Sequence, residues 1–479
     1  MRNLFKRIAC FIVSAAAAVT AMAVPASAAY ERKSIPDNDA TRFVDSMGAG
    51  WNLGNAFDAV DCPWVTDKMD LETGWCKAKT TKELIKTVKA SGFKTIRVPV
   101  SWREHVDASF NIDKKWLDRV QEVIDWCLEE KLYVILNIHH DGEKGYYYPS
   151  SAEYKTSEKY IKAIWKQLSE RFKDYGEELI FETINEPCLS GTDFQWYYNL
   201  NNVPSEVKDS LDCINKLNQA ALDTIRAAGG KNKSRYVMIP GYDTDGTKKG
   251  LCSQYFKMPT DSVKNRLIAT AHIYTLKRGE FKYACNLLYE NFVSKGIPVV
   301  IGEYGLDTNG YKYGDGKASA ELLGDMVEYA RASGISAVIW DNNAKDSFQF
   351  IDRSTAKVTY QNIIDAVVKG GKPALSSSSS SGSSDKTTTS GNSTKPVLKA
   401  KVSQNQVTLS WNKVEGATKY TVYKYTGGKY KAVKKSMTGT KLTIKNLKSG
   451  TTYKYIVRAY VNGKWTTLSK NDLVSVKIK

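Results

Sequence analysis

Between Gly48 and Lys369 the chain alternates eight short, nearly uninterrupted apolar runs with stretches of helical period, and few folds accommodate that order. The runs cover residues 49–54, 95–100, 133–138, 179–184, 236–240, 267–272, 299–303 and 337–341. Most are rich in Val, Ile and Leu, as strands of a parallel sheet buried on both faces must be. Between them the spacing predicts helices over 84–91, 116–130, 158–174, 207–228, 281–294 and 318–332, and the helix between the fifth and sixth strands is the least marked. Thr80-Thr81-Lys82-Glu83 reads as a capping box opening the first of these. Eight strand–helix units predict an α/β fold, a closed (β/α)8 TIM barrel. An open doubly wound sheet is the alternative, and no Gly-rich phosphate loop follows the first strand to support it.

Composition divides the rest. Arg2, Lys6 and Arg7 precede an apolar stretch over 8–24 and then Ala26-Ser27-Ala28-Ala29, the pattern of a secretory signal peptide cut near Ala28 or Ala29. Ser14, Thr20 and Pro25 interrupt the stretch, which argues against a membrane helix. From Ser376 to Lys395 nearly every residue is Ser, Gly, Thr or Asn, too polar to bury a core. The expected organisation is a signal peptide at 1–28, the barrel at 29–372, a Ser-rich linker at 373–395 and a small all-β sandwich at 396–479.

The formal charge of +18 is not spread evenly. From Pro396 onward 18 Lys and Arg face only Glu415 and Asp472, which leaves +2 for everything upstream. Because the lysines are scattered among turns and strands, and not gathered on a recognition helix, a solvated, wall-binding or anion-attracting surface is favoured over nucleic-acid binding. Seven cysteines follow the signal segment: Cys62, Cys76, Cys127, Cys188, Cys213, Cys252 and Cys285. An odd number leaves at least one thiol free. Cys62 with Cys76, flanking a Trp-rich loop, is the first candidate bridge, followed by Cys188 with Cys213 and Cys252 with Cys285.

In a barrel of this kind, active residues collect at the C-terminal ends of strands. The unusual polar residues fall there: Arg97 in strand two, His139 and His140 after strand three, Asn185 and Glu186 after strand four, His272 and Tyr274 at strand six, Glu303 at strand seven and Trp340 at strand eight. Two carboxyl groups at strand ends suit acid/base work on a glycosidic bond, where one protonates the leaving oxygen while the other attacks the anomeric carbon or activates water. Paired histidines suggest a metal, but there is no HExxH and no third ligand in the pattern, so none is expected.

The motifs Gly50-Trp51-Asn52-Leu53-Gly54-Asn55, Thr95-Ile96-Arg97-Val98-Pro99-Val100-Ser101-Trp102, Asn137-Ile138-His139-His140, Asn185-Glu186-Pro187, His272-Ile273-Tyr274, Gly302-Glu303-Tyr304-Gly305 and Trp340 resemble glycoside hydrolase family 5 in order and placement. The likeness runs over roughly residues 40–370 and is greatest to the bacterial endoglucanase and xyloglucanase branch. It implies that Glu186 is the general acid/base and Glu303 the nucleophile of a retaining double displacement, so one carboxyl pKa should be raised and the other low. Arg97 and the Tyr274 hydroxyl would stabilise charged Glu303, His272 would bond near Glu186, and Asn185 would hold the sugar 2-hydroxyl. His139 and His140 would orient the site and bond to sugar, and Trp340 would stack on a glucose ring. Asn55 and Trp196 are carried as loop contacts, among further loop residues Asp58, Trp64, Trp75, Tyr146, Tyr147, Tyr148, Tyr197 and Tyr198. Asp141, Glu143, Asp243 and Asp245 read as loop surface.

From Pro396 short alternating strands at 407–411, 420–423, 441–444 and 453–460, with turns at Glu415-Gly416, Gly427-Gly428 and Asn462-Gly463, predict a sandwich. Trp411, Leu447 and Tyr453 resemble the core of a fibronectin type III domain, which implies a spacer or weak binder. The whole chain reads as a secreted, monomeric, cofactor-free endo-β-1,4-glucanase acting on cellulose-like β-glucan, with no nucleic-acid partner, no membrane contact after signal removal, and a cell-wall or surface contact through the basic tail. Xyloglucan, mixed-linkage glucan or mannan as main substrate is the nearest rival, and a non-catalytic carbohydrate-binding protein is the rival of another class.

Overall fold

The computed structural model describes residues 30–306, 312–372 and 396–478, apart from 397, 404, 413, 415–416, 427–428, 462–463 and 467–472. The signal-peptide, linker and three turn assignments above lie outside the described residues. The chain divides into two compact units, which part at residues 377 and 378.

In the first unit eight parallel strands close a barrel in the order β1 to β8, with β1 hydrogen-bonded to both β2 and β8. They are β1 Ala49–Asn52, β2 Thr95–Val98, β3 Tyr133–Asn137, β4 Leu179–Glu182, β5 Val237–Asp245, β6 Leu267–Tyr274, β7 Val299–Gly305 and β8 Ile335–Ile339. The helices α2 Lys82–Ala90, α3 Lys114–Glu129, α4 Tyr154–Arg171, α5 Ser205–Ala227, α6 Arg278–Asn291, α7 Lys317–Ala332 and α8 Gln361–Gly370 lie between or after them. No helix connects β5 to β6, so the weakest of the expected helices is replaced by turns.

An additional helix, α1 Asp39–Met47, precedes the barrel. Its Ala40, Phe43, Val44 and Met47 pack with Ile135, Ile180, Met238, Ile268, Val300 and Val338 from the strands. Because Ile180, Met238, Ile268 and Val300 are each the second residue of their strand, the cluster seals the end of the barrel away from the polar residues. The capping box falls here as well: Asn38 and Thr41 exchange side-chain and backbone bonds. At α2 the expected box is absent. Thr81 caps alone through the Leu84 amide, while the Thr80 amide donates to Glu72 Oε1 at 2.7 Å.

β9 Ile351–Asp352 and β10 Lys357–Val358 form a small hairpin after the barrel. The second unit is antiparallel. One sheet has the order β11-β12-β15 (Leu398–Ser403, Gln406–Trp411, Lys441–Ile444), and the other has β14-β13-β16-β17 (Lys429–Met437, Ala417–Thr426, Thr452–Val461, Lys464–Trp465) with β18 Val474–Lys477 also on β16. Trp411, Val407, Leu409, Tyr420, Val422, Tyr455 and Val457 share its core. Among the described residues no helix is long and apolar enough to cross a membrane.

All seven described cysteines are free thiols, so none of the three bridges is present. The Cys62 thiol donates to the Val60 carbonyl, and the Cys76 thiol to the carbonyls of Glu72 and Ala78, each turned into its own loop.

Candidate active site

Strand alternation brings one side chain from each of several strands to the barrel axis, and at the C-terminal end these side chains are polar. Asn52, Arg97, Asn137, Glu182 and Thr270 are wholly buried. A guanidinium there must be matched by acceptors on every side. Arg97 Nε donates to Glu182 Oε2 at 2.8 Å, Nη1 to Glu303 Oε1 at 2.8 Å and to Asn52 Oδ1 at 3.0 Å, and Nη2 to Asn185 Oδ1 at 2.7 Å. Burial works against its charge, but Glu182 and Glu303 outweigh that and raise its pKa further. The Asn185 oxygen is thereby occupied, which leaves the amide nitrogen as its donor.

Backbone irregularity aims the next residues. Between β6 and β7 the pairing passes from Ala271↔Ile301 to His272↔Glu303, so Gly302 is an extra residue on β7. A Cβ on Gly302 would sit 3.0 Å from Thr270 Oγ1, 3.2 Å from His272 Nε2 and 3.3 Å from Glu182 Oε1, so only hydrogen fits without displacing the network. Glu303, turned by this bulge, accepts from Tyr274 Oη at 2.6 Å through Oε2 while its Oε1 holds Arg97. Burial and then the Glu303 charge push the Tyr274 phenol well above its ordinary value, so it stays a neutral donor.

Glu186 lies past the end of β4 with about a quarter of its side chain exposed, and His272 Nδ1 contacts its Oε1 at 2.7 Å. The same ring nitrogen is 3.7 Å from Glu303 Oε2, and one oxygen from each glutamate lies with it in a cluster no wider than 4.8 Å. The two carboxyl groups therefore face each other at close range. The expected raised pKa of Glu186 is not found. Burial pushes it up, but the bond from His272 and the charges of His272, His140 and Arg97 bring it below its ordinary value. His272 moves the other way, since Glu303 and Glu186 outweigh its burial and hold its proton.

His139 is buried, and its Nδ1 meets Asn137 Nδ2 at 3.1 Å. The Asn137 oxygen accepts from the Val100 amide and its nitrogen also donates to Glu182 Oε2, so His139 Nδ1 is an acceptor and the ring proton sits on Nε2. Burial first, then the charges of His140, Arg97 and His272, keep the ring neutral. His140 is likewise held down to about 4, chiefly by burial. Asp58 supplies the third group that sequence spacing did not show, with Oδ2 3.9 Å from His139 Nε2 and 4.0 Å from His140 Nε2. A metal would need a lone pair where His139 carries its proton, and burial holds the Asp58 carboxyl up near 7, so this trio suits hydrogen bonding better than an ion.

A cleft of about 460 Å³ opens beside Glu186, lined among others by Trp75, Trp196, His139, His140, Asn185 and Tyr147. Trp196 is 58% exposed, a ring face free for a ligand. Asn55 and Trp340 are not among the cleft-lining residues. Asn55 turns the chain at φ 60° and donates its amide to Asp58 Oδ2 at 2.9 Å. Trp340 is 9% exposed, lies parallel to the His139 ring at 6.1 Å, and rests on Gly54, where a Cβ would come within 2.4 Å of the indole. Of the other loop residues, Tyr148 and Tyr198 are buried, whereas Trp64 and Tyr197 are exposed away from this lining.

Asp141 is not loop surface. It is fully buried and accepts from the amides of Trp102 and Arg103 and from Tyr160 Oη at 2.8 Å, fixing the loop after β2. Asp243 is half-buried at the end of β5, pushed up to about 8 by burial and by Glu186. The largest omission of the sequence reading is Glu182, the second carboxylate on Arg97. Its signal was present: an acid inside the apolar run Leu179-Ile180-Phe181-Glu182 has to be paired.

A closed barrel with two facing glutamates at the strand ends, an aromatic cleft beside them and an arginine behind them defines a glycoside hydrolase. The family model described as cellulase, glycosyl hydrolase family 5, matches residues 58–346, and the chain belongs to that family. The fibronectin type III model matches residues 395–471. Endoglucanase A of Clostridium longisporum is 38% identical over 360 residues, which span 70% of this chain and 66% of that one, just under two thirds of its length. Among solved structures, the family 5 lichenase of Caldicellulosiruptor sp. F32, determined with cellotetraose, is 44% identical with a TM-score of 0.68 over 72% of this chain and 99% of that one. The family 5 xyloglucanase of Paenibacillus pabuli is 31% identical, with a TM-score of 0.61 over 68% and 99%.

Proposed function

We propose that this hydrolase is a secreted, monomeric endo-β-1,4-glucanase that cuts β-glucan chains internally with retention of configuration and without a metal. The observation that carries the reading is the separation of Glu186 and Glu303, whose nearest oxygens lie within 4.8 Å. A gap of about 5 Å suits direct attack by one carboxylate, whereas inversion needs room for a water, at about 6.5–9.5 Å. Glu303, oriented by Arg97 and Tyr274, attacks the anomeric carbon as the bond to the leaving oxygen breaks. The proton for that oxygen comes from the Glu186–His272 pair: His272 holds it at Nδ1, 2.7 Å from Glu186 Oε1, and Glu186 delivers it to the substrate. With the proton gone, Glu186 draws one from water, and the hydroxide formed releases the sugar from Glu303. The Asn185 amide nitrogen bonds the sugar 2-hydroxyl, His139 Nε2–H and His140 serve the same ring, Trp340 packs against it, and Trp196 and Asn55 act further along the chain.

The lichenase and xyloglucanase neighbours support a second substrate reading, in which mixed-linkage glucan or xyloglucan is cut as well as cellulose-like chains. The tail is proposed to hold the enzyme to a polymeric surface. Release of reducing ends from cellulose, xyloglucan, mixed-linkage glucan and mannan separates the substrate readings, and the anomer first formed, followed by proton NMR, tests the mechanism. An α-anomer as the first product from a β-glucan ends the retaining assignment. Excess chelator should leave the rate intact, and loss restored by one added cation would return His139 and His140 to a metal.

A further inference from the structure

The excess charge of the second unit has no place in the catalytic reading. Eighteen cations face two acids there, so pairing within the unit cannot neutralise them, and they gather counter-ions instead. The strand register shows where part of that charge meets aromatic rings. Along β13 and β16 the residues Tyr420, Val422, Tyr455 and Val457 point into the core. Their neighbours therefore share the opposite face of the sheet. Lys454 lies across from Tyr425, which lies across from Tyr430, with the two rings 4.9 Å apart. At the other end Lys419 pairs with Tyr460, and Tyr460 with Trp465. The Lys419 ammonium stands 4.4 Å above the Tyr460 ring, and Arg458 lies 5.8 Å from the Trp465 ring. Six residues of strand, about 20 Å, separate the two rows. This is the reach of a chain-like ligand, larger than a single sugar.

We propose that this outer sheet face docks an acidic polysaccharide, a glycan whose sugars carry carboxylates. It deepens the surface contact proposed for the tail by naming its partner, and rests on that reading. Tyrosine and tryptophan faces take the apolar side of sugar rings, and cations between them take the acid groups. Lysine supplies 17 of the 18 cations, and its hydrated point charge suits many loose contacts along a polymer over fixed bidentate ones. Uncharged glucan would leave those cations without a partner, and duplex DNA, whose bases are stacked inside the helix, would leave the rings without a face to meet.

The test uses the full chain and three probes at about 0.15 M salt: polygalacturonate, the same polymer with its carboxylates methyl-esterified, and duplex DNA. Polygalacturonate should bind and the ester should bind at least about tenfold more weakly. Lys419→Glu with Lys454→Glu should weaken polygalacturonate binding about tenfold, and Trp465→Ala should weaken it by a factor that persists when salt is raised. Hydrolysis of a short soluble β-glucan, followed in parallel, should not change in these variants, which separates this proposal from the catalytic one. Equal binding of the ester, or tighter binding of DNA, overturns the acidic glycan while keeping a surface contact. Binding to none of the three removes both.

Discussion

The barrel and the sandwich use charge in opposite ways. At the barrel's C-terminal end Arg97 is wholly buried between Glu182 and Glu303, with Asn52 and Asn185 filling its remaining donors. In the sandwich, 18 cations share two acids and most of β14 is exposed. Buried charges survive only when every partner is fixed, so each is held at a defined distance from its neighbours and can do chemistry. Exposed lysines need no fixed partner and act together over the range of a screened field. Position is therefore the property of the first set, and number the property of the second.

The contrast is broken most directly at the two glutamates. Glu186→Gln and Glu303→Gln are near-isosteric, so the barrel should still form, with Glu303→Gln giving up one of its two accepted bonds and some stability, while hydrolysis of β-glucan falls by about two orders of magnitude or more. Near-normal turnover by either variant would remove the assignment. Next in size is Glu182→Gln, which touches no substrate. It takes the charge from a site where Arg97 donates to Oε2 at 2.8 Å and Thr270 Oγ1 to Oε1 at 2.9 Å. Losing one member of a buried ion pair costs about 3–5 kcal/mol, so thermal unfolding should come at markedly lower temperature, and the rate should fall because Arg97 is no longer held in place. An unchanged melting temperature would show that Arg97 is not held from both sides.

A smaller effect concerns pH. Burial opposes charge on both His272 and Glu186, but the Glu303 charge and then the bond to Glu186 raise His272, while that bond lowers Glu186, so the pair keeps a proton above the ordinary imidazole value of 6.5. Since the acid step needs that proton, activity is present below the raised value and is lost as pH rises through it. His272→Asn leaves Glu186 to hold the proton alone, and the alkaline limb of kcat/KM should move down by on the order of one pH unit. A limb that stays in place would assign the proton to another group.

Much of this site was legible in the residues because strand periodicity is strict. Once 179–184 and 299–303 are strands, Glu186 and Glu303 have to lie at their C-terminal mouths. Glu182 is hard to read because it sits inside an apolar run and its partner Arg97 lies 85 residues earlier, so nothing local shows what pairs with it. Asp141 was misplaced because its loop looks polar in sequence, while the backbone amides of Trp102 and Arg103 that hold it come from 39 and 38 residues earlier. The missing helix between β5 and β6 and the single cap at Thr81 are local choices decided by tertiary contacts. The direction of the Glu186 shift depended on a distance to His272 that no motif encodes.

The smallest effect is expected in the sandwich, and it completes the contrast. Lys431 and Lys435 are exposed on β14, surrounded by further lysines. Reversing both to Glu removes no buried partner, leaves strand pairing intact, and relieves repulsion among like charges. The melting temperature should move by no more than about 2 °C, and hydrolysis of a short soluble β-glucan should stay the same. The same number of charges changed at Arg97 and Glu182 would be expected to cost the fold several kcal/mol. A large loss of stability from the β14 reversals would mean that these lysines are individually paired, and the division between placed charge and pooled charge would fail where it is now most easily tested.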